Sequence, residues 1–154
     1  MAQQNDKMKV QSEKTMGGNG HLLSQLEVAG KLHGHICPSL FYGVSLAMRI
    51  NEWMQTTNPV NRAAFEIILE GKSGCIRDGV RSVLGEGTAF TIQNTGHCAL
   101  TAVCTKDQQR CRISISPAVR KAINELNQSL PLEEFKQVGV AHLKSLLPQE
   151  LFEE

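Results

Sequence analysis

The sequence lacks the features that direct a chain to a membrane or to nucleic acid. Residues 1–20 contain no apolar stretch of the kind that a secretory signal needs, and the chain nowhere approaches the roughly 20 consecutive apolar residues of a membrane-spanning helix. Neither sign of charge dominates, with 16 Lys+Arg against 15 Asp+Glu, so nothing favours nucleic acid or an anionic membrane as a partner. We therefore expect a cytoplasmic protein that binds neither.

The sequence also lacks the motifs of phosphate binding, dinucleotide binding and zinc fingers. There is no phosphate-binding G-x-x-x-x-G-K-[ST] loop and no dinucleotide fingerprint beyond one weak glycine pair. The five cysteines are odd in number and lack the two close pairs of a zinc finger. They are better interpreted as thiols or metal ligands than as a disulfide framework.

Length and patterning predict one α+β domain. A chain of 154 residues has room for one well-packed core. Residues 1–20 are polar and end in a glycine-rich stretch, which predicts a flexible arm, and residues 21–154 would form the domain. The predicted helices cover residues 22–32, 38–56, 75–84, a segment from 117, and 132–147; the predicted strands cover residues 64–70, 89–94, 99–104 and 110–115. This order favours an antiparallel sheet, its last three strands a meander, with helices packed on one face.

A histidine- and cysteine-rich segment joins the first two predicted helices. His33, His35 and Cys37 lie within five consecutive positions, and Gly34 gives the backbone between them conformational freedom. Imidazole and thiolate groups so placed can converge on zinc or another borderline divalent metal. The alternative is a structural loop in which one histidine caps a backbone carbonyl and Cys37 is a small buried residue.

Cys37 and Cys75 share a position at the start of a predicted helix. Free N–H groups and the helix dipole there favour a thiolate, which predicts two reactive thiols of low pKa, suited to metal binding or to nucleophilic catalysis. Cys37 and Asp78 are the candidate catalytic residues. Asp78, one turn into its helix, would either orient a site histidine or only complement the helix dipole.

The other cysteines are interpreted as core residues. Cys98 and Cys104 share one face of a predicted strand, and Cys111 lies on an apolar face of the next. We expect these three thiols to react slowly. His97 lies on the opposite face from Cys98, and its role is open.

These motifs resemble the FmdE family of formylmethanofuran dehydrogenase proteins. The segment His33-Gly34-His35-Ile36-Cys37-Pro38 is similar to the H-G-H-x-C-P opening of that family's domain. Residues 75–80 with Leu84-Gly85 resemble its cysteine–aspartate helix, and residues 96–101 its Gly-Lys-x-Ala-Leu strand. The resemblance covers about residues 22–115 in order and spacing. It implies an α+β core that forms intertwined dimers, with the site in a cleft near the histidine–cysteine segment.

The sequence departs from the family pattern at three positions. Ser39 replaces a glycine, Glu86 a cysteine, and His97 the usual lysine. The missing cysteine argues against a two-thiol redox mechanism at the predicted helix that begins at Cys75. His97, in contrast, adds a candidate ligand for a metal or a haem-like cofactor. The C-terminal zinc finger that some members carry is absent.

The resemblance implies a role near a molybdenum or tungsten enzyme of one-carbon metabolism. The leading hypothesis is a homodimeric metal- or cofactor-binding protein, an accessory or carrier in anaerobic redox or one-carbon metabolism. Its ligands for a divalent transition metal, zinc foremost, would be His33, His35, Cys37 and Cys75. The alternatives are a thiol-dependent enzyme that uses Cys37 as nucleophile or redox thiol, and a non-catalytic subunit or regulatory module that docks a larger oxidoreductase.

Overall fold

The computed structural model describes residues 10–58, 64–71 and 73–153. Within these ranges the chain forms six helices and five strands. The helices are α1 (Val10–His33), α2 (Pro38–Thr57), α3 (Gly74–Leu84), α4 (Pro117–Ser129), α5 (Leu132–Lys144) and α6 (Pro148–Leu151). The strands are β1 (Phe65–Glu70), β2 (Thr91–Gln93), β3 (Ala99–Cys104), β4 (Arg110–Ile115) and β5 (Phe152–Glu153). None of the described helices has both the length and the apolar character needed to cross a bilayer.

Three helix ends near the histidine–cysteine segment agree with the sequence prediction. Helix α1 ends at His33 because Gly34 takes a φ of +105°, which other residues rarely adopt. Helix α2 begins at Pro38, whose missing N–H would have had no intrahelical partner. Helix α3 begins after Ser73, whose side-chain oxygen accepts a hydrogen bond from the Cys75 N–H.

Helix α2 lies at the centre of the core. Every residue from Leu40 to Ala47 is buried, so this part of the helix is covered on all sides. It contacts α1, α3 and α5 as well as strands β3 and β4. The start of α2 is therefore a fixed point around which other elements are arranged.

The sheet confirms the predicted fold class, an α+β arrangement with a mostly antiparallel sheet. Its strand order is β2-β1-β3-β4-β5. Strand β1 runs antiparallel to β3, with Ile67 opposite Ala102, and β3 runs antiparallel to β4, with Ala102 opposite Cys111. All six residues of β3 are buried, so this strand forms the middle of the sheet.

One strand pairing differs from the prediction. The run 89–94 was predicted to pair with 99–104 in an antiparallel meander, but the observed strand β2 is shorter and pairs in parallel with β1. A parallel pair needs a long crossover connection, and α3 with its flanking turns supplies it. The meander prediction was therefore wrong for this strand.

The amino-terminal boundary also differs. A helix was predicted only from residue 22, whereas α1 already begins at Val10. An isolated glycine costs a helix about 1 kcal/mol relative to alanine, which penalises the helix at Gly17-Gly18 without forbidding it. The rest of the predicted arm, residues 1–9, lies outside the described residues, and the division into arm and domain stays a prediction.

Candidate metal centre

Four side chains from three helix ends meet at one point. His33 is the last residue of α1, His35 and Cys37 lie in the link to α2, and Cys75 is the second residue of α3. One ligand atom from each of the four lies within 4.8 Å of those of the other three. The structure thus brings together the four residues of the predicted metal site.

His33 is held from both sides of its ring. Nδ1 lies 2.5 Å from Oδ2 of Asp78, and Nε2 lies 3.1 Å from Sγ of Cys75. When Nδ1–H donates to the carboxylate, the Nε2 lone pair points into the cluster. Carboxylates bonded in this way to the outer nitrogen are the usual partners of metal-binding histidines. Asp78 therefore makes the contact that its predicted orienting role requires.

His35 completes the exposed side of the cluster. Its Nε2 lies 4.0 Å from Sγ of Cys75, and its ring centroid lies 4.5 Å from that of His33. Desolvation first, and then the neighbouring His33, hold the pKa of His35 below its ordinary value. Both effects favour the neutral imidazole, which is the form that binds a metal.

Cys37 does not have the low pKa that the sequence predicted. It is the N-cap residue of α2, and backbone groups of Leu40 and Ser39 do lower its pKa. Burial acts more strongly in the opposite direction, because Cys37 is only 8% exposed, and raises its pKa to about 11. The predicted low-pKa thiol is wrong for this residue.

The link between α1 and α2 is shaped by small residues. Gly34 takes a positive φ of +105°, a conformation that glycine adopts without strain. A Cβ on Gly30 would lie 2.5 Å from Cγ1 of Ile36, so Gly30 makes room for the one apolar side chain of the link. Ile36 packs against Gly30, and its two neighbours in the chain, His35 and Cys37, both belong to the cluster.

Helix α5 supplies charges beside the site that the sequence reasoning missed. Lys136 lowers the pKa of His35 and Glu133 raises it, and their side chains form an ion pair of 3.1 Å with each other. An i,i+3 charge pair on a helix is common and carries no motif, so only the tertiary structure links it to the site.

The other candidate residues lie elsewhere. His97 is exposed in the turn before β3, where its backbone N–H donates a hydrogen bond to Oγ1 of Thr95. It is not a member of the four-residue cluster. Its predicted role as a cofactor ligand stays a prediction. Cys98 and Cys104 are buried, and Cys111 is half-buried against the core, as predicted.

Two nitrogen and two sulfur donors are a common ligand set for zinc. Zinc bonds of about 2.0–2.3 Å place tetrahedral donors roughly 3.3–3.8 Å apart. The four donor atoms here, all within 4.8 Å of one another, reach that spacing with small side-chain movements. The cluster fits a tetrahedral divalent ion with the exposed His35 at its open edge.

A protein-family model matches most of the chain. The family model described as "FmdE, Molybdenum formylmethanofuran dehydrogenase operon" matches residues 32–152. The matched range begins just before His33 and includes all four cluster residues and Asp78. No curated protein sequence matches the chain.

Proposed function

The chain belongs to the FmdE family, and on that premise we propose that it is a metal-binding protein whose centre is formed by His33, His35, Cys37 and Cys75. The metal is a divalent transition ion, zinc foremost. The protein acts as a cytoplasmic accessory or carrier in anaerobic redox or one-carbon metabolism, in keeping with the dehydrogenase operon that the family description names.

The observation that carries the proposal is the environment of His33. Its ring lies between the Asp78 carboxylate and the Cys75 thiol, with one nitrogen toward each. A histidine that only capped a backbone carbonyl, the structural alternative for this loop, would not need an acid on one side and a thiol on the other. The carboxylate–histidine arrangement is what a metal ligand requires to fix its tautomer.

The donor types favour zinc over harder ions. Magnesium and calcium prefer oxygen ligands, whereas imidazole with thiolate suits zinc and its neighbours. The haem-like alternative depended on His97, which is exposed and separate from the cluster. No contact of the described residues supports it.

The structure and the family description bear differently on the two alternative functions, a thiol-dependent enzyme and a non-catalytic subunit. A thiol-dependent enzyme needs Cys37 as a thiolate at neutral pH, and burial opposes this by raising its pKa to about 11. A non-catalytic subunit of a larger oxidoreductase gains support from the family description, and a metal centre is compatible with it.

Replacement of Cys37 tests the proposal. Wild-type protein purified without oxygen should contain stoichiometric metal, and Cys37→Ser should lose most of it, as measured by elemental analysis. Binding should also weaken as pH falls below about 6.5, because protons then compete for the histidines.

Cys98→Ser is the matched control, since Cys98 is also a buried cysteine but lies outside the cluster. It should keep its metal while losing about 1–3 kcal/mol of stability through a poorly paired buried hydroxyl. Full metal content in Cys37→Ser, or none in wild-type protein made with ample metal, would show that the metal-site proposal is wrong.

A further inference from the structure

A cavity of about 220 Å³ lies between α1, α2, α5 and α6, and none of its lining residues belongs to the metal cluster. Its wall is mainly apolar and includes the buried side chains of Phe41, Leu143 and Leu151. An apolar cavity of about 150 Å³ accepts benzene. This one therefore has room for an aryl group or a short alkyl chain.

Two cations line the cavity. Arg49 and Lys144 are both exposed, and within the described residues neither forms an ion pair. The Arg49 guanidinium lies 4.8 Å from the centroid of the Phe152 ring, which holds it over the wall. Among the described residues of the lining Glu52 is the single carboxylate, so the charge of this described part is net positive.

A buried hydroxyl on the same wall has no partner. Ser45 is 3% exposed, and its Oγ has no hydrogen-bond partner among the described residues. Ser45 precedes Arg49 by four residues on α2, so the two side chains lie on one face of the helix, one turn apart. Buried hydroxyls are normally hydrogen-bonded, and an orphan beside a cavity marks a place where a ligand atom can accept a bond.

We propose that this cavity binds a small carboxylic acid with an aryl or short alkyl body. The apolar body occupies the space beside Phe41, Leu143 and Leu151. The carboxylate accepts hydrogen bonds from the Ser45 hydroxyl and the Arg49 guanidinium. An apolar pocket with a few convergent polar groups is the usual form of a small-molecule site. The site is independent of the metal-binding function proposed above.

A pair of probes that differ only in charge tests this assignment. Titration calorimetry on the full-length, metal-loaded protein would compare 4-phenylbutyrate with 4-phenylbutanamide. The acid should bind about five- to tenfold more tightly than the amide, because charge-assisted hydrogen bonds exceed neutral ones. Arg49→Gln should remove that preference and Ser45→Ala should weaken binding of the acid. Lys121→Gln, an exposed charge on α4 outside the cavity, should change neither.

Three outcomes would overturn the proposal. Equal affinities for the acid and the amide would show that the cavity does not recognise a carboxylate. Unchanged affinity of Arg49→Gln for the acid would show that Arg49 does not bind the carboxylate. Failure of both probes to bind at millimolar concentration would show that the cavity is not a site for a small carboxylic acid. Because Arg49 is exposed, its variant should fold and keep its metal, which separates a failure here from a failure of the metal site.

Discussion

At the scale of single residues, two opposing effects act on the pKa of Cys37. A helix N-terminus lowers a thiol pKa through nearby N–H groups, and burial raises it by removing water from the charged form. At Cys37 burial dominates and the pKa rises to about 11. The position of the residue in the sequence revealed only the first effect, because burial depends on what packs around the helix start.

Glu70 gives a prediction for acid stability. This buried carboxylate accepts hydrogen bonds from Arg112 at 2.8 and 3.1 Å and from Thr95 at 2.9 Å. The bonds from Arg112 are the main reason that its pKa lies below the ordinary value. A lowered pKa contributes stability above the unfolded-state value of about 4.3, and that contribution is lost as pH falls from there through the folded-state pKa.

We therefore expect Glu70→Gln to lower the free energy of unfolding by about 1–3 kcal/mol at pH 7. Below a pH of about 4.3 the variant should lose less stability than wild type, because it has no carboxylate to protonate at this position. Urea unfolding at a series of pH values measures both. Glu66→Gln, an exposed glutamate on the same strand, is the control and should behave like wild type. Equal acid sensitivity of Glu70→Gln and wild type would contradict the prediction.

At the scale of elements, the crossing of α2 and α3 is set by two glycines. A Cβ on Gly79 would lie 2.7 Å from the carbonyl oxygen of Leu40, and a Cβ on Gly43 would overlap the carbonyl oxygen of Ile76. Backbone atoms cannot move aside as a side-chain tip can. The close approach matters to the site because α3 carries Cys75 and Asp78, while Cys37 precedes α2.

Gly43→Ala should therefore separate the two helices. We expect a loss of at least about 1–3 kcal/mol of stability, despite the better helix propensity of alanine, together with weaker metal binding. Thermal unfolding and metal titration measure the two effects. Gly87→Ala adds a Cβ with nothing within 4 Å and should leave both unchanged. If Gly43→Ala is as stable as Gly87→Ala and binds metal as well, the helix crossing does not limit the site.

At the scale of the whole molecule, the homodimer stays a prediction, made from the family resemblance. One feature of the described chain is compatible with it. Strand β2 lies at one end of the sheet, all three of its residues are exposed, and Ile92 is among the exposed large apolar side chains. An uncovered strand edge is a common place for another chain to pair.

Sedimentation at micromolar concentration measures the oligomeric state directly. We expect a dimer that does not dissociate on dilution, because obligate dimers typically bury more than about 2,000 Å². Ile92→Lys should favour dissociation if the β2 edge forms the interface, and Val138→Lys, on the exposed surface of α5, serves as the comparison. A monomeric wild-type protein would rule the dimer out.

The sequence alone determined the features that depend on neighbouring residues. Gly34, Pro38 and Gly85 mark helix boundaries that the structure confirms, since φ preferences and missing N–H groups act within one turn. The prediction that Cys98 and Cys104 lie in the core, made from the apolar residues Leu100 and Ala102 between them, is confirmed, since both cysteines are buried. The four residues of the cluster were predicted as metal ligands from their chemistry and their positions at predicted helix ends, and the structure brings them together.

Only the tertiary structure decided what depends on distant residues. His33 and Asp78 are 45 positions apart, and their contact depends on the packing of α1 against α3. The parallel pairing of β2 with β1, the burial that raises the pKa of Cys37, and the cavity beside Ser45 likewise arise where separate elements pack together. Backbone preferences are short-range and can be inferred from local sequence, whereas desolvation and strand pairing depend on the surroundings that the complete fold creates.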